Sequence, residues 1–314
     1  MSTARVLVTC KQMQNVFETF RPRFEAAQVE AILPTVERQQ LSEDELIALI
    51  ADVDGIIAGD DPLTARVLEH AGRMKTIAKW GVGTDAIDFD AAAAQGITVT
   101  NTPGVFGEDV ADAALGYLLS LTRHIARIHM AVVAGDWLKI EGTRLAGKTA
   151  GVYGFGSIGK ATARRLVAFG CDTLAYDAFP AALEGAAELG VAGVGLDELL
   201  ERSEVLVLCA PLTPDTHHVI DAAALAKLPD GALFVNVSRG QLVDEPALVA
   251  ALRSGRVAAA ALDVFEDEPL APDNPLRDFE QCVFGSHNGS NTAEGVLQCS
   301  AQAVDNLFRE LGLP

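Results

Sequence analysis

The chain lacks an uninterrupted apolar run of about 20 residues, the length a helix needs to cross a bilayer. Its longest apolar stretch, residues 111–134, contains Asp112, Arg123, His124, Arg127 and His129, and is expected to be a buried helix rather than a membrane span. Positive charge is scarce: 24 Lys and Arg stand against 43 Asp and Glu, a formal net charge of −19. A field of that sign repels nucleic acid and anionic membrane surfaces, so neither is expected as a partner. It also repels a small anion, and a site for one must gather Lys, Arg or backbone N–H groups locally. Cysteine is sparse and shows no pairing pattern. Cys10, Cys171, Cys209, Cys282 and Cys299 are scattered, most of them in apolar runs, which is the usage of reduced, buried thiols; no metal site is expected. Met1-Ser2-Thr3-Ala4-Arg5 leads straight into a short apolar run, without the h-region or cleavage site of a signal peptide, and predicts a cytoplasmic protein.

What is present is an ordinary globular composition, 49% hydrophobic and 21% charged over 314 residues, far from the signature of disorder. At roughly 100 to 200 residues per domain, the length predicts two domains. Apolar runs rich in β-branched residues alternate with segments of helical period. Val6-Leu7-Val8 precedes a predicted helix over 16–27, and Gly55-Ile56-Ile57-Ala58 and Thr76-Ile77-Ala78 follow. A second series of candidate strands covers 150–153, 173–176, 205–209, 233–237, 258–262 and 282–284. This alternation predicts βαβ units and parallel sheets. The second series matches the doubly wound sheet that holds dinucleotides at the carboxyl ends of its strands. Long helices are expected from about Asp109 and over 292–311.

After the strand ending at Tyr153 comes Gly154-Phe155-Gly156-Ser157-Ile158-Gly159, then a helical stretch from Lys160. The pattern has a reason for each glycine. Gly154 permits a tight turn, Gly156 lets backbone approach a pyrophosphate, and Gly159 packs helix on strand. The N–H groups of Ser157 and Ile158 open the helix and face the phosphates with its positive dipole end. About 20 residues further on stands Asp177, where a carboxylate accepts from a ribose diol and repels a 2'-phosphate. NAD is therefore the expected cofactor, in preference to NADP.

Three polar residues follow strands of the second series: Arg239 after 233–237, Glu268 after 258–262 and His287 after 282–284. Oxidising a 2-hydroxy acid needs a base for the hydroxyl proton, a cation for the carboxylate and an acceptor for the hydride. His287 suits the first, since an acid beside it holds its tautomer and favours its protonated form. Arg239 suits the second, because a planar fork binds both carboxylate oxygens. Glu268 is the acid available to orient His287.

Together these residues resemble the D-isomer-specific 2-hydroxyacid dehydrogenases. The resemblance runs along nearly the whole chain, through Lys79-Trp80-Gly81-Val82-Gly83-Thr84-Asp85, Val99-Thr100-Asn101-Thr102-Pro103-Gly104, the glycine fingerprint, Pro211-Leu212-Thr213, Asn236-Val237-Ser238-Arg239-Gly240 and Asp263-Val264-Phe265 to Glu268-Pro269. It implies that Arg239 binds substrate, Glu268 orients the histidine and His287 is the acid/base. Pro211, Val237, Ser238 and Gly289 would line the cofactor, and Asp263 would hold the nicotinamide carboxamide. The Gly81, Val82 and Gly83 backbone would donate to the substrate carboxylate, with Lys79 beside it. The implied fold is α/β, with a Rossmann NAD-binding domain over 99–289 inserted in a discontinuous flavodoxin-like substrate domain of residues 1–98 and 290–314. It also implies a homodimer built through the helix near 109–134 and a small anionic 2-hydroxy or 2-keto acid as partner, D-3-phosphoglycerate among the candidates.

The chain departs from the family pattern in two places. Around the histidine the family usually has Thr-Pro before and an apolar residue then two glycines after, whereas this chain reads Gly285-Ser286-His287-Asn288-Gly289-Ser290. Where phosphoglycerate enzymes tend to place an arginine, it has Gly59-Asp60-Asp61-Pro62, poor company for a phosphate. The rival reading is a non-catalytic NAD-sensing protein, since the same fold serves as a corepressor scaffold; the intact trio favours the enzyme.

Overall fold

The computed structural model describes residues 4–314; Met1, Ser2 and Thr3, part of the segment read for a leader, lie outside the described residues. The chain divides into two compact units, one of residues up to Phe106 together with Asn291–Pro314, the other Gly107–Ser290.

The first unit holds a parallel sheet of β1 (Ala4–Val8), β2 (Val29–Ile32), β3 (Gly55–Ala58), β4 (Thr76–Lys79) and β5 (Thr98–Thr100), in the order β2-β1-β3-β4-β5. That is the flavodoxin-like order. An expected domain break after residue 98 would cut through β5, which pairs with β4 from Thr98 to Thr100; the division falls after Phe106 instead. β3 and β4 are fully buried, as strands with helices on both faces must be. The closing helix of the chain, Ala293–Leu311, packs on both of them. A Cβ at Gly55 would come within 2.8 Å of its Leu307 Cδ1, so glycine there lets the helix lie close to the sheet.

The second unit holds β6 (Thr149–Tyr153), β7 (Asp172–Tyr176), β8 (Val191–Gly193), β9 (Val205–Leu208), β10 (Ala232–Asn236), β11 (Val257–Leu262) and β12 (Val283–Phe284), ordered β12-β11-β10-β9-β6-β7-β8 and parallel throughout. The order reverses between β6 and β9, the switch point at which doubly wound sheets bind ligands. Six of the seven strands stand where the alternation predicts them. Val191-Ala192-Gly193 is too short and too poor in large side chains to give a signal.

The segment 111–134 departs from the expected buried helix. It forms two helices, Gly107–Arg123 and Ile125–Val133, separated at His124, which adopts the left-handed conformation (φ 53°). The first packs on the Ser157–Ala168 helix. The second buries none of its residues, and Met130 and Val133 are 64% and 68% exposed. Leu115, Leu118 and Leu121 account for the core side of the first helix; the second carries equally apolar residues outward.

Candidate active site

Strand register brings the expected residues of the second unit to one edge. Phe284 lies opposite Leu262, Leu262 opposite Asn236, Asn236 opposite Leu208, Leu208 opposite Tyr153, and Tyr153 opposite Tyr176. Since all the strands are parallel, the segments beginning at Gly285, Asp263, Val237, Cys209, Gly154 and Asp177 leave the sheet side by side.

Within that row, His287 Nδ1 is 2.9 Å from Glu268 Oε2. An ionised carboxylate only accepts, so the pair places the proton on Nδ1 and leaves Nε2 as the nitrogen for chemistry. The same carboxylate accepts from Phe265 N–H through Oε1 at 3.0 Å, which fixes it from both sides. The two side chains are 22% and 19% exposed, sheltered but reachable. His287 itself is left-handed (φ 55°), a conformation costing roughly 1–2 kcal/mol for a side chain with Cβ. Its N–H is held by the Asp263 carbonyl at 2.7 Å.

Arg239 follows β10 on a turn fixed by Asn236, a buried residue the sequence reading did not single out. Asn236 Oδ1 accepts from Ser238 N–H at 3.0 Å and its Nδ2 donates to the Arg239 carbonyl at 2.9 Å. A Cβ at Gly240 would fall 1.8 Å from the Phe265 carbonyl carbon, so the arginine turn rests directly on the backbone that leads to Glu268. Arg239 is half-buried, and its Nη1 donates to the Ser238 carbonyl at 2.9 Å. Ser238 Oγ is buried and has no hydrogen-bond partner among the described residues. The Pro211 carbonyl, after β9, accepts from Thr216 Oγ1 at 2.8 Å.

Asp263 directly follows β11. It is 2% exposed, and its carboxylate accepts from Tyr117 Oη at 2.7 Å, Asn288 N–H at 3.1 Å and Gly289 N–H at 2.8 Å. The donors to it come from its own chain.

The glycine loop has the form its sequence predicts. Gly154 is at φ 93°, and a Cβ at Gly159 would meet the Gly154 carbonyl oxygen at 2.0 Å, so both are required by the turn itself. Gly156 is exposed and a Cβ there would touch no other atom. It caps the Ser157–Ala168 helix with no side-chain hydrogen bond. Asp177, just past β7, accepts from Phe155 N–H at 2.7 Å and Phe179 N–H at 2.9 Å.

In the first unit, Lys79 is 3% exposed. Its ammonium donates to Asp60 at 3.1 Å and to the Trp80 carbonyl at 2.9 Å. Gly81, at φ 121°, gives its N–H to Thr102 Oγ1 at 3.0 Å. Asp61 is buried and engaged by Thr9 Oγ1 and by the N–H groups of Leu41 and Gly59.

The family model for the D-isomer specific 2-hydroxyacid dehydrogenase NAD-binding domain matches residues 115–289. The chain belongs to this family. It is 40% identical over 283 residues to a hydroxypyruvate reductase of Thermotoga maritima, covering 88% of this chain and 91% of that one. It is 41% identical over 266 residues to a D-3-phosphoglycerate dehydrogenase of Mycobacterium leprae, covering 84% of this chain but 50% of that one. Among solved structures, the NADPH-dependent glyoxylate/hydroxypyruvate reductase of Sinorhizobium meliloti, in complex with NADP and malonate, matches with a TM-score of 0.86 and 32% identity over 99% of this chain and 94% of that one.

The dehydrogenase is thus an NAD-dependent oxidoreductase of 2-hydroxy acids, and its own residues fit the cofactor. The space beside Gly156 would be filled by any side chain, the helix behind it lacks a side-chain cap, and Ser238 carries an orphaned hydroxyl at the same sheet edge. Sequence reasoning missed Tyr117 and Asn236. Tyr117 lies 146 residues from its partner, a separation no local pattern crosses. Asn236 sat in the quoted Asn-Val-Ser-Arg-Gly run, and its polar side chain at the end of an apolar strand was the available signal.

Proposed function

We propose that this dehydrogenase reduces a short, unphosphorylated 2-keto acid to the D-2-hydroxy acid, with His287 as acid/base, Glu268 orienting it and Arg239 binding the substrate carboxylate and carbonyl. The observation that carries the assignment is the 2.9 Å pairing of His287 Nδ1 with Glu268, at the edge where the cofactor loop also emerges. NADH supplies the hydride. His287 gives the Nε2 proton to the carbonyl oxygen, and the Arg239 fork holds the carboxylate while polarising that oxygen. We further assign the Val82 and Gly83 N–H groups to a carboxylate, and Asp177 to the selection of NAD through the ribose diol. Pro211, Val237 and Gly289 line the cofactor beside Ser238.

The restriction to an unphosphorylated acid rests on the Lys79 side chain, whose charge is taken up by Asp60 with a buried Asp61 alongside. A phosphate here would meet two carboxylates and one neutralised cation. The comparison that tests it is kcat/KM with NADH for hydroxypyruvate, glyoxylate, pyruvate and 3-phosphohydroxypyruvate. One of the first three is expected to lead by at least tenfold; preference for the phosphorylated acid overturns the substrate assignment, and no turnover of any of them overturns the function. Five cysteines without a disulfide suit a reducing compartment such as the cytoplasm. A homodimer through the exposed apolar residues of Ile125–Val133 completes the reading.

A further inference from the structure

We propose that Tyr117 and Asp263 act as a couple that positions His287; the inference rests on His287 being the acid/base. A buried carboxylate is tolerated only when donors replace its lost water, and Asp263, at 2% exposure, has them. Oδ1 accepts from Tyr117 Oη and Asn288 N–H, Oδ2 from Gly289 N–H, and its carbonyl accepts from His287 N–H. Three consecutive backbone N–H groups, those of residues 287, 288 and 289, therefore converge on this one residue. They hold His287 in its left-handed conformation, and with it the direction in which the imidazole leaves the backbone. A carboxylate offers about four lone-pair sites, and three are occupied from within the chain.

Tyr117 sits on the Gly107–Arg123 helix and is half-buried. Burial, and then the hydrogen bond to Asp263, push its phenol well above the ordinary tyrosine value, so it stays a donor across the whole working range. The space it uses was made for it. A Cβ at Gly285 would fall 2.1 Å from both Tyr117 Oη and Asp263 Oδ1. The glycine at 285, where the resemblance leads one to expect threonine, is thus the counterpart of the tyrosine at 117.

The test uses the whole enzyme and three variants. Tyr117→Phe keeps the ring and removes only the hydroxyl, and Asp263→Asn keeps the size and removes the charge; His287→Ala is the reference. For Tyr117→Phe we expect kcat to fall on the order of tenfold, as for loss of a hydrogen bond to a charged group. The NADH Kd, by fluorescence titration, should stay within twofold of the parent. The primary isotope effect with 4-deuterated NADH should rise, because a misplaced acid slows the chemical step and not product release; a merely structural tyrosine would leave it unmoved. Asp263→Asn should likewise lower kcat and raise the isotope effect. Inactive His287→Ala beside unaltered Tyr117→Phe overturns this inference alone. Full turnover by His287→Ala overturns the acid/base reading and this inference with it.

Discussion

Glu268 stands between two fixed points, the Phe265 N–H on one oxygen and the His287 ring on the other. A negative charge at 2.9 Å favours the imidazolium over the neutral ring. Reduction of a keto acid consumes that proton, so its rate should decline as pH rises through the histidine's titration, and oxidation should climb over the same interval. Removing the charge with Glu268→Gln weakens the hold on the proton, and both limbs should move to lower pH. Profiles of kcat/KM in the two directions measure this; an unmoved profile means the pairing does not govern the titration. At this scale much of the site was legible, because Arg239, Glu268 and His287 each follow an apolar strand and a polar residue there has few structural duties. What stayed hidden was who else holds them. The reach of Tyr117 to Asp263, the Lys79 contact with Asp60 and the Gly81 contact with Thr102 join separate strands or helices, and a linear pattern records neither partner nor distance.

The turn and helix that follow β6 separate two uses of glycine. Gly159 is needed by the protein itself, since a Cβ would press on the Gly154 carbonyl at 2.0 Å, while Gly156 faces open space. Gly159→Ala should therefore lower Tm by several degrees, the scale of a core overpacking defect of about 1–3 kcal/mol. Gly156→Ala should leave Tm unchanged and weaken NADH binding by tenfold or more, because the added methyl stands where the pyrophosphate approaches. Thermal denaturation and NADH titration of both variants decide it; equal NADH affinity in Gly156→Ala would remove the loop from the phosphate site. Elements with strong periodicity were readable from sequence, among them β6, β9, β10 and the Ala293–Leu311 helix. Val29–Ile32, Thr98–Thr100 and Val191–Gly193 were not, since Glu30, Thr98 and Thr100, and Ala192-Gly193 leave none of them a run of large apolar residues. The break at His124 was equally invisible, since the composition on its two sides is alike.

On the scale of the whole molecule, 43 acidic residues against 24 basic leave an anionic surface on which an apolar patch stands out. Ile125, Met130, Val133 and Trp137 are 54%, 64%, 68% and 82% exposed, and water should be excluded from them by a second copy of the chain. Light scattering should report a dimer at micromolar concentration, and Met130→Asp with Val133→Asp should yield monomers that still bind NADH. A monomeric parent enzyme would remove the dimer from the reading.

The division of the first unit between the two ends of the chain has a consequence for synthesis. A ribosome releases residues 107–290, the whole of the second unit, before it releases the Ala293–Leu311 helix that covers β3 and β4. The unit begun first is finished last. Through that interval the buried strands Gly55–Ala58 and Thr76–Lys79 wait without their cover, and nascent apolar strands left open in this way are what chaperones bind and what neighbouring chains misjoin.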